Sequence, residues 1–118
     1  PSTQVTCDQL REKIEGAKLA VAYFGDNTAR EYSDVFLGAA DNELVGEKYQ
    51  FVHSDDKDCA ASFGANTLPA VVLFRKFDES PLVYSGAWER QDLVQWMSTS
   101  SVPTLIEFSE EYIEPIFG

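Results

Sequence analysis

Leu19-Ala20-Val21-Ala22-Tyr23-Phe24-Gly25-Asp26-Asn27-Thr28-Ala29-Arg30-Glu31 is the stretch that decides how the chain is read. Its first six residues are apolar without alternation, the pattern of a central strand covered on both faces of a mostly parallel sheet. Gly25-Asp26-Asn27 breaks the strand, and Thr28-Ala29-Arg30-Glu31 has the S/T-x-x-E form of a capping box at the start of a helix. Tyr32, Val35, Phe36, Ala39 and Ala40 then keep the spacing of an amphipathic stripe, which is expected to run to about Leu44. A strand buried on both sides needs helices on both sides, so this unit sets an α/β architecture.

Upstream, Val5 and Leu10 flank Thr6-Cys7-Asp8-Gln9 as a hydrophobic staple around a capping box, which predicts a helix from Cys7 with Gly16 as its left-handed stop. A short strand fits at Thr3 to Val5. Downstream, Tyr49 to His53 reads as a strand. Asp55, Asp56 and Asp58 place charge on the first turn of a brief helix that carries Cys59 and Phe63 and stops at Gly64. Leu68 to Phe74 is a β-rich run with Pro69 at its mouth. Asp78 to Pro81 is expected to turn the chain into an antiparallel return at Leu82 to Tyr84. Trp88, Leu93, Trp96 and Met97 form the last stripe, ending near Ser98 to Ser101. The order is βαβαβαββα, a thioredoxin-like α/β arrangement with a central mixed sheet and helices on both faces.

The length of 118 residues suits one domain. Twenty acidic against nine basic residues give a net charge of -11, which opposes binding to nucleic acid or to anionic membrane surfaces. No apolar run approaches the ~20 residues of a membrane helix. The opening at Pro1, with no initiator Met and no signal-peptide pattern, reads as mature or excised material. Residues 1–101 are expected to form the domain. Residues 102–118, with Pro103-Thr104-Leu105-Ile106-Glu107-Phe108 near their start, read as a linker and the cut-off first strand and helix of a second, similar domain.

A thioredoxin-like domain keeps its redox thiols after the first central strand, at the next helix N-terminus, where the helix dipole lowers a thiol pKa. Those slots fall on Thr28, Ala29, Arg30 and Glu31, which contain no sulfur, so no thiolate is available there for disulfide exchange. No catalytic residue and no cofactor is expected.

Val21-Ala22-Tyr23-Phe24, Val72 to Glu79 with Gly86, and Pro103 to Phe108 with Ile116-Phe117-Gly118 together resemble the non-catalytic b domain of protein disulfide isomerases, followed by the opening of the next domain, b′. The resemblance covers essentially the whole chain. It implies an isomerase parent in the endoplasmic-reticulum lumen. There this domain is a scaffold between C-x-x-C domains, and unfolded clients bind mainly through b′. Thr67-Leu68-Pro69 keeps the proline that catalytic members of the fold hold in cis, and Pro69 is a candidate cis residue here.

Cys7 and Cys59 each open a helix on one sheet face, after adjacent parallel strands. Two separate thiols, the ordinary state of small buried cysteines, and a structural disulfide both fit. His53 shares the phase of Tyr49 and Phe51 and reads as packing. Asp41, Glu43, Glu47 and Asp55, Asp56, Asp58 lack EF-hand spacing, so they read as solvated faces and caps with at most weak Ca²⁺ affinity. Trp88, Trp96, Phe74 and Phe77 read as core rather than as a ligand groove. Leu105, Ile106, Phe108, Ile116 and Phe117 would have no domain of their own to pack in and are expected to touch a neighbouring copy. The alternatives are a calsequestrin-type calcium-storage domain and, more weakly, a glutathione-binding relative using Pro69.

Overall fold

The computed structural model describes residues 2–43, 45–76 and 78–101. The expected opening of a second domain at 102–118, including Leu105, Ile106, Phe108, Ile116 and Phe117, lies outside these described residues, as do Leu44 and Phe77.

Five strands, β1 (Thr3–Gln4), β2 (Leu19–Phe24), β3 (Gln50–Ser54), β4 (Ala70–Arg75) and β5 (Asp78–Val83), form one sheet in the order β1-β3-β2-β4-β5. β3 runs parallel to both β1 and β2, while β4 is antiparallel to β2 and β5 to β4. The helices are α1 (Cys7–Gly16), a π-helical segment (Glu31–Phe36) passing without a break into α2 (Leu37–Ala40), α3 (Lys57–Ser62) and α4 (Arg90–Ser100). This is the mixed thioredoxin-like sheet that the order of elements implied.

β2 occupies the middle because each of its faces has a helix layer to meet. Val21 and Tyr23 enter a core with Tyr32, Val35, Phe36, Leu93 and Met97 from the π segment and α4. Ala20, Ala22 and Phe24 enter the opposite core with Leu10 of α1 and Cys59 and Ala60 of α3. The two layers differ in bulk. The first is aromatic-rich, with Tyr23, Phe36 and Phe51 in ring contact. The second is alanine-rich and closed by a Cys7–Cys59 disulfide, S–S 2.13 Å and Cα–Cα 5.8 Å. Of the two cysteine states compatible with the sequence, the bonded one is present.

Several local expectations need correction. Gly16 is not left-handed: α1 ends because Ala17 is extended, and the positive-φ residues are Gly25 and Gly64. Thr28 caps no helix, since Arg30 stands at the N-cap without a side-chain bond and the helical stretch ends at Ala40 rather than at Leu44. Asp78 to Pro81 do not form the turn. They lie in β5, whose register slips between the Leu73–Leu82 and Arg75–Asp78 pairs, with Pro81 inside the slipped stretch. Trp88 precedes α4 instead of lying in it, although it packs with Trp96 on the same core, while Phe74 lies in the α1/α3 core.

The α1 cap matches its sequence. Thr6 Oγ1 accepts from Gln9 N, and the Gln9 side chain accepts from Thr6 N. Asp56 caps α3 by accepting from Cys59 N at 3.0 Å. Tyr49 donates to the Met97 carbonyl at 2.7 Å and so ties the last turns of α4 to β3.

Candidate functional site

The slot at Thr28 to Glu31 follows β2 at the end of the sheet where β2 and β3 finish. Gly25 makes the exit. Its N–H donates to Ser54 O at 3.0 Å, its φ is +146°, and a Cβ there would stand 3.2 Å from Pro69. Only glycine permits both that backbone angle and that approach. The Leu68–Pro69 peptide is cis, and Pro69 lies beside Gly25.

Thr28 turns inward on the loop instead of serving the helix. Its N–H and its hydroxyl donate to the same Asp26 Oδ1, at 2.8 and 2.6 Å. This is an Asx-type turn, in which a short acidic side chain imitates a backbone acceptor. The hydroxyl bond first, and the N–H bond second, hold the Asp26 carboxyl below its ordinary value. Beneath the loop the Tyr23 hydroxyl donates to Asp26 O at 3.0 Å. Burial, with the charges of Glu31 and Asp26 added, pushes Tyr23 up to about 12, so it is a neutral donor.

Arg30 closes the rim of the slot. Its guanidinium donates to Trp88 O at 3.0 Å and pairs with Glu89 at 3.2 Å, while Arg90 pairs with Asp34 at 3.1 Å. These exposed pairs are weak individually. Together they tie the start of the π segment to the loop before α4. The bond pattern is itself uncommon: Leu37 N donates to Tyr32 O, five residues back, and such π turns are concentrated at functional positions in helices.

The slot therefore presents a hydroxyl, a methyl, a committed guanidinium and a carboxylate. Both cysteine sulfurs of the chain are in the disulfide. Cys59 packs in the core opposite the one that holds Tyr23 and Tyr32, so the structure does not bring disulfide and slot together. Among the described residues no group of three or more His, Cys, Asp or Glu side chains is gathered as a metal site, and no helix is long and apolar enough to cross a membrane.

One polar cluster escaped the sequence reading. His53 Nδ1 lies 2.7 Å from Ser2 Oγ and 3.2 Å from the Tyr32 hydroxyl, and the residue is 9% exposed. The phase of β3 placed His53 on the correct face, but the partners come from the N-terminus and from the π segment, which no local pattern connects. Burial holds the imidazole below its usual 6.5. Above pH 6.5 the ring is neutral in folded and unfolded chains alike. As pH falls through 6.5 the unfolded chain takes up the proton first, so stability is lost on acidification until the folded-state value is reached. Thermal melts between pH 7 and 5.5 should show this slope in the wild type and a flatter one in His53→Gln. Equal slopes would remove His53 as its source.

Comparison with known proteins agrees with this architecture. A thioredoxin-like domain family model matches residues 25–118. The chain belongs to the thioredoxin-like domain family. Among curated proteins it is similar to the protein disulfide-isomerases of Aspergillus niger, 34% identical over 116 residues, and Humicola insolens, 29% identical over 109 residues. Those matches cover 98% and 92% of this chain but 22% and 21% of the relatives, so the chain spans about a fifth of their length. Among solved structures, the zinc-bound form of human ERp44 aligns with a TM-score of 0.66 at 18% identity, covering 86% of this chain and 32% of that one. Oxidised mitochondrial thioredoxin 3 of Saccharomyces cerevisiae aligns at 0.65 and 16% identity, covering 83% and 94%. At these identities the structures establish the fold alone.

Proposed function

We propose that this chain is a redox-silent, b-type thioredoxin-like domain of a protein disulfide isomerase in the endoplasmic-reticulum lumen. It acts as a scaffold that positions flanking C-x-x-C domains for oxidative folding. Residues 1–101 constitute the domain, and 102–118 are the linker and first segment of a following b′-type domain, through which unfolded clients mainly bind.

The slot carries this reading. Its four residues are engaged in a turn, a rim of ion pairs and a helix start, with no thiol present, and disulfide exchange requires a thiolate. The Cys7–Cys59 bond has a structural explanation in the alanine-rich core it closes. Similarity to isomerases over most of this chain, but only a fifth of theirs, fits a domain whose catalytic chemistry is supplied elsewhere in the parent. An insulin-reduction assay on the chain with excess dithiothreitol should run at the rate of dithiothreitol alone. Acceleration abolished by Cys7→Ala would overturn the redox-silent assignment.

A further inference from the structure

β1 and α1 form a lightly anchored unit. The aromatic-rich core holds no residue of the stretch 2–16; it draws on β2, β3, β4, the π segment and α4, and both tryptophans, Trp88 and Trp96, pack against it. β1 lies at a sheet edge and pairs through Thr3–Val52 and Gln4–His53, whereas β3 is paired with β2 along its whole length from Gln50 to Ser54. Of α1, only Leu10 is buried. The unit's other ties among the described residues are modest. Val5 N–H donates to His53 O, Ser2 meets His53, Arg11 meets Ser62 and Phe63, and Val5 and Ile14 pack on the alanine-rich core.

The disulfide changes that balance. Cys7 is the first residue of α1, and its bond to Cys59 pins this end of the helix to α3, while Ala17 and β2 hold the other end. With the bond broken, α1 is fixed covalently at its C-terminal end alone. Small units of this kind, with few buried apolar side chains, are the ones that open below the cost of whole-domain unfolding. The bond is also approachable from one side: Cys7 is half-buried, whereas Cys59 is 3% exposed.

We propose that the Cys7–Cys59 bond is a redox latch: its reduction by a dithiol lets β1 and α1 open as a unit and uncover the alanine-rich core, while the aromatic-rich core stays folded. One thiolate of the dithiol attacks Cys7 Sγ, the Cys7–Cys59 bond breaks, and Cys59 leaves as a thiolate that takes up a proton. The second thiol then attacks the mixed disulfide and releases Cys7 as a thiol. The dithiol ends as a disulfide, and its two electrons reside on the two cysteines. The domain is the substrate of this exchange and not its catalyst, so the latch stands independently of the scaffold role.

Amide hydrogen exchange of the ¹⁵N-labelled chain at pH 7, with and without dithiothreitol, tests the latch at several urea concentrations below the unfolding transition. Reduction should speed exchange of the Leu10 to Ile14 amides by about 30- to 1,000-fold, the range a typical disulfide contributes, and should leave those rates nearly independent of urea. The Val21 to Tyr23 amides should keep the steep urea dependence of whole-domain unfolding. Tryptophan fluorescence should stay that of the folded chain, since Trp88 and Trp96 belong to the retained core. Cys7→Ser with Cys59→Ser should behave like the reduced chain without any reductant. Two results would overturn the proposal in favour of a plain structural bond: α1 amides that keep the urea dependence of β2 after reduction, or loss of the folded tryptophan signal. Urea-independent exchange of α1 at the same rate in the oxidised chain would show that the bond latches nothing.

Discussion

Replacing Cys7 and Cys59 together by alanine is expected to lower the free energy of unfolding by about 4 kcal/mol. The bond joins residues 52 apart, and the chain-entropy model assigns a loop of that length this order of stabilisation. The surrounding packing gives little compensation. Six of the thirteen buried residues in the core on this side, Ala17, Ala20, Ala22, Ala60, Ala65 and Ala70, are alanines, each too small to contribute much buried apolar area. α1 buries Leu10 fully, and its other contacts include the half-buried Cys7 and Ile14, the stacking of Arg11 over Phe63, 5.3 Å from the ring centre, and an Arg11 bond to Ser62. Urea unfolding monitored by tryptophan fluorescence measures the loss. A difference below about 1 kcal/mol would mean that the bond restrains little beyond what packing already fixes.

On the opposite face, Phe36→Ala should cost about 3 to 5 kcal/mol, the range for truncating a fully enclosed phenylalanine. Phe36 is 0% exposed, and its ring meets Tyr23, Tyr32 and Phe51 at centroid distances of 5.6, 5.9 and 5.4 Å. Each partner is held elsewhere: Tyr23 by its bond to Asp26 O, Tyr32 by His53, and Phe51 by its strand. The cavity therefore has little freedom to collapse. The same unfolding experiment measures this variant, and a loss under about 1.5 kcal/mol would show that the aromatic layer repacks. Since the two sites lie in different cores, their effects should add.

What the sequence disclosed depends on the range of the forces involved. β2 was legible to the residue because burial on both faces imposes an unbroken apolar run. The α1 box was legible because Thr6 and Gln9, three residues apart, satisfy one another locally. Thr28 looked equally like a cap and was not: the helical stretch begins only at Glu31 with Arg30 at its N-cap, and Thr28 donates its N–H and hydroxyl to Asp26 in an Asx-type turn. The β4–β5 connection was misplaced for a comparable reason: Pro81 signals a turn locally, whereas in the sheet it occupies an irregular stretch of an edge strand. Cys7 and Cys59 could be placed on one face from topology, but bond formation depends on a few ångströms that topology does not specify. That Thr28 to Glu31 carry no sulfur is read from the sequence itself. The Arg30 ties to Trp88 and Glu89, and the His53 cluster, depend on residues 21 to 59 positions apart and left no pattern to read.

The slipped register of β5 bears on how such a domain lives beside its own kind. An outer strand with regular, unpaired amides invites another sheet to continue it, and the hazard grows when similar sheets are tethered along one polypeptide at high local concentration. Pro81 lacks an amide hydrogen, and the irregular pairing around it breaks the outer edge between the Leu73–Leu82 and Arg75–Asp78 pairs. At the other edge, β1 is only two residues long. Both outer strands of the described sheet are thus poor templates for another sheet to continue.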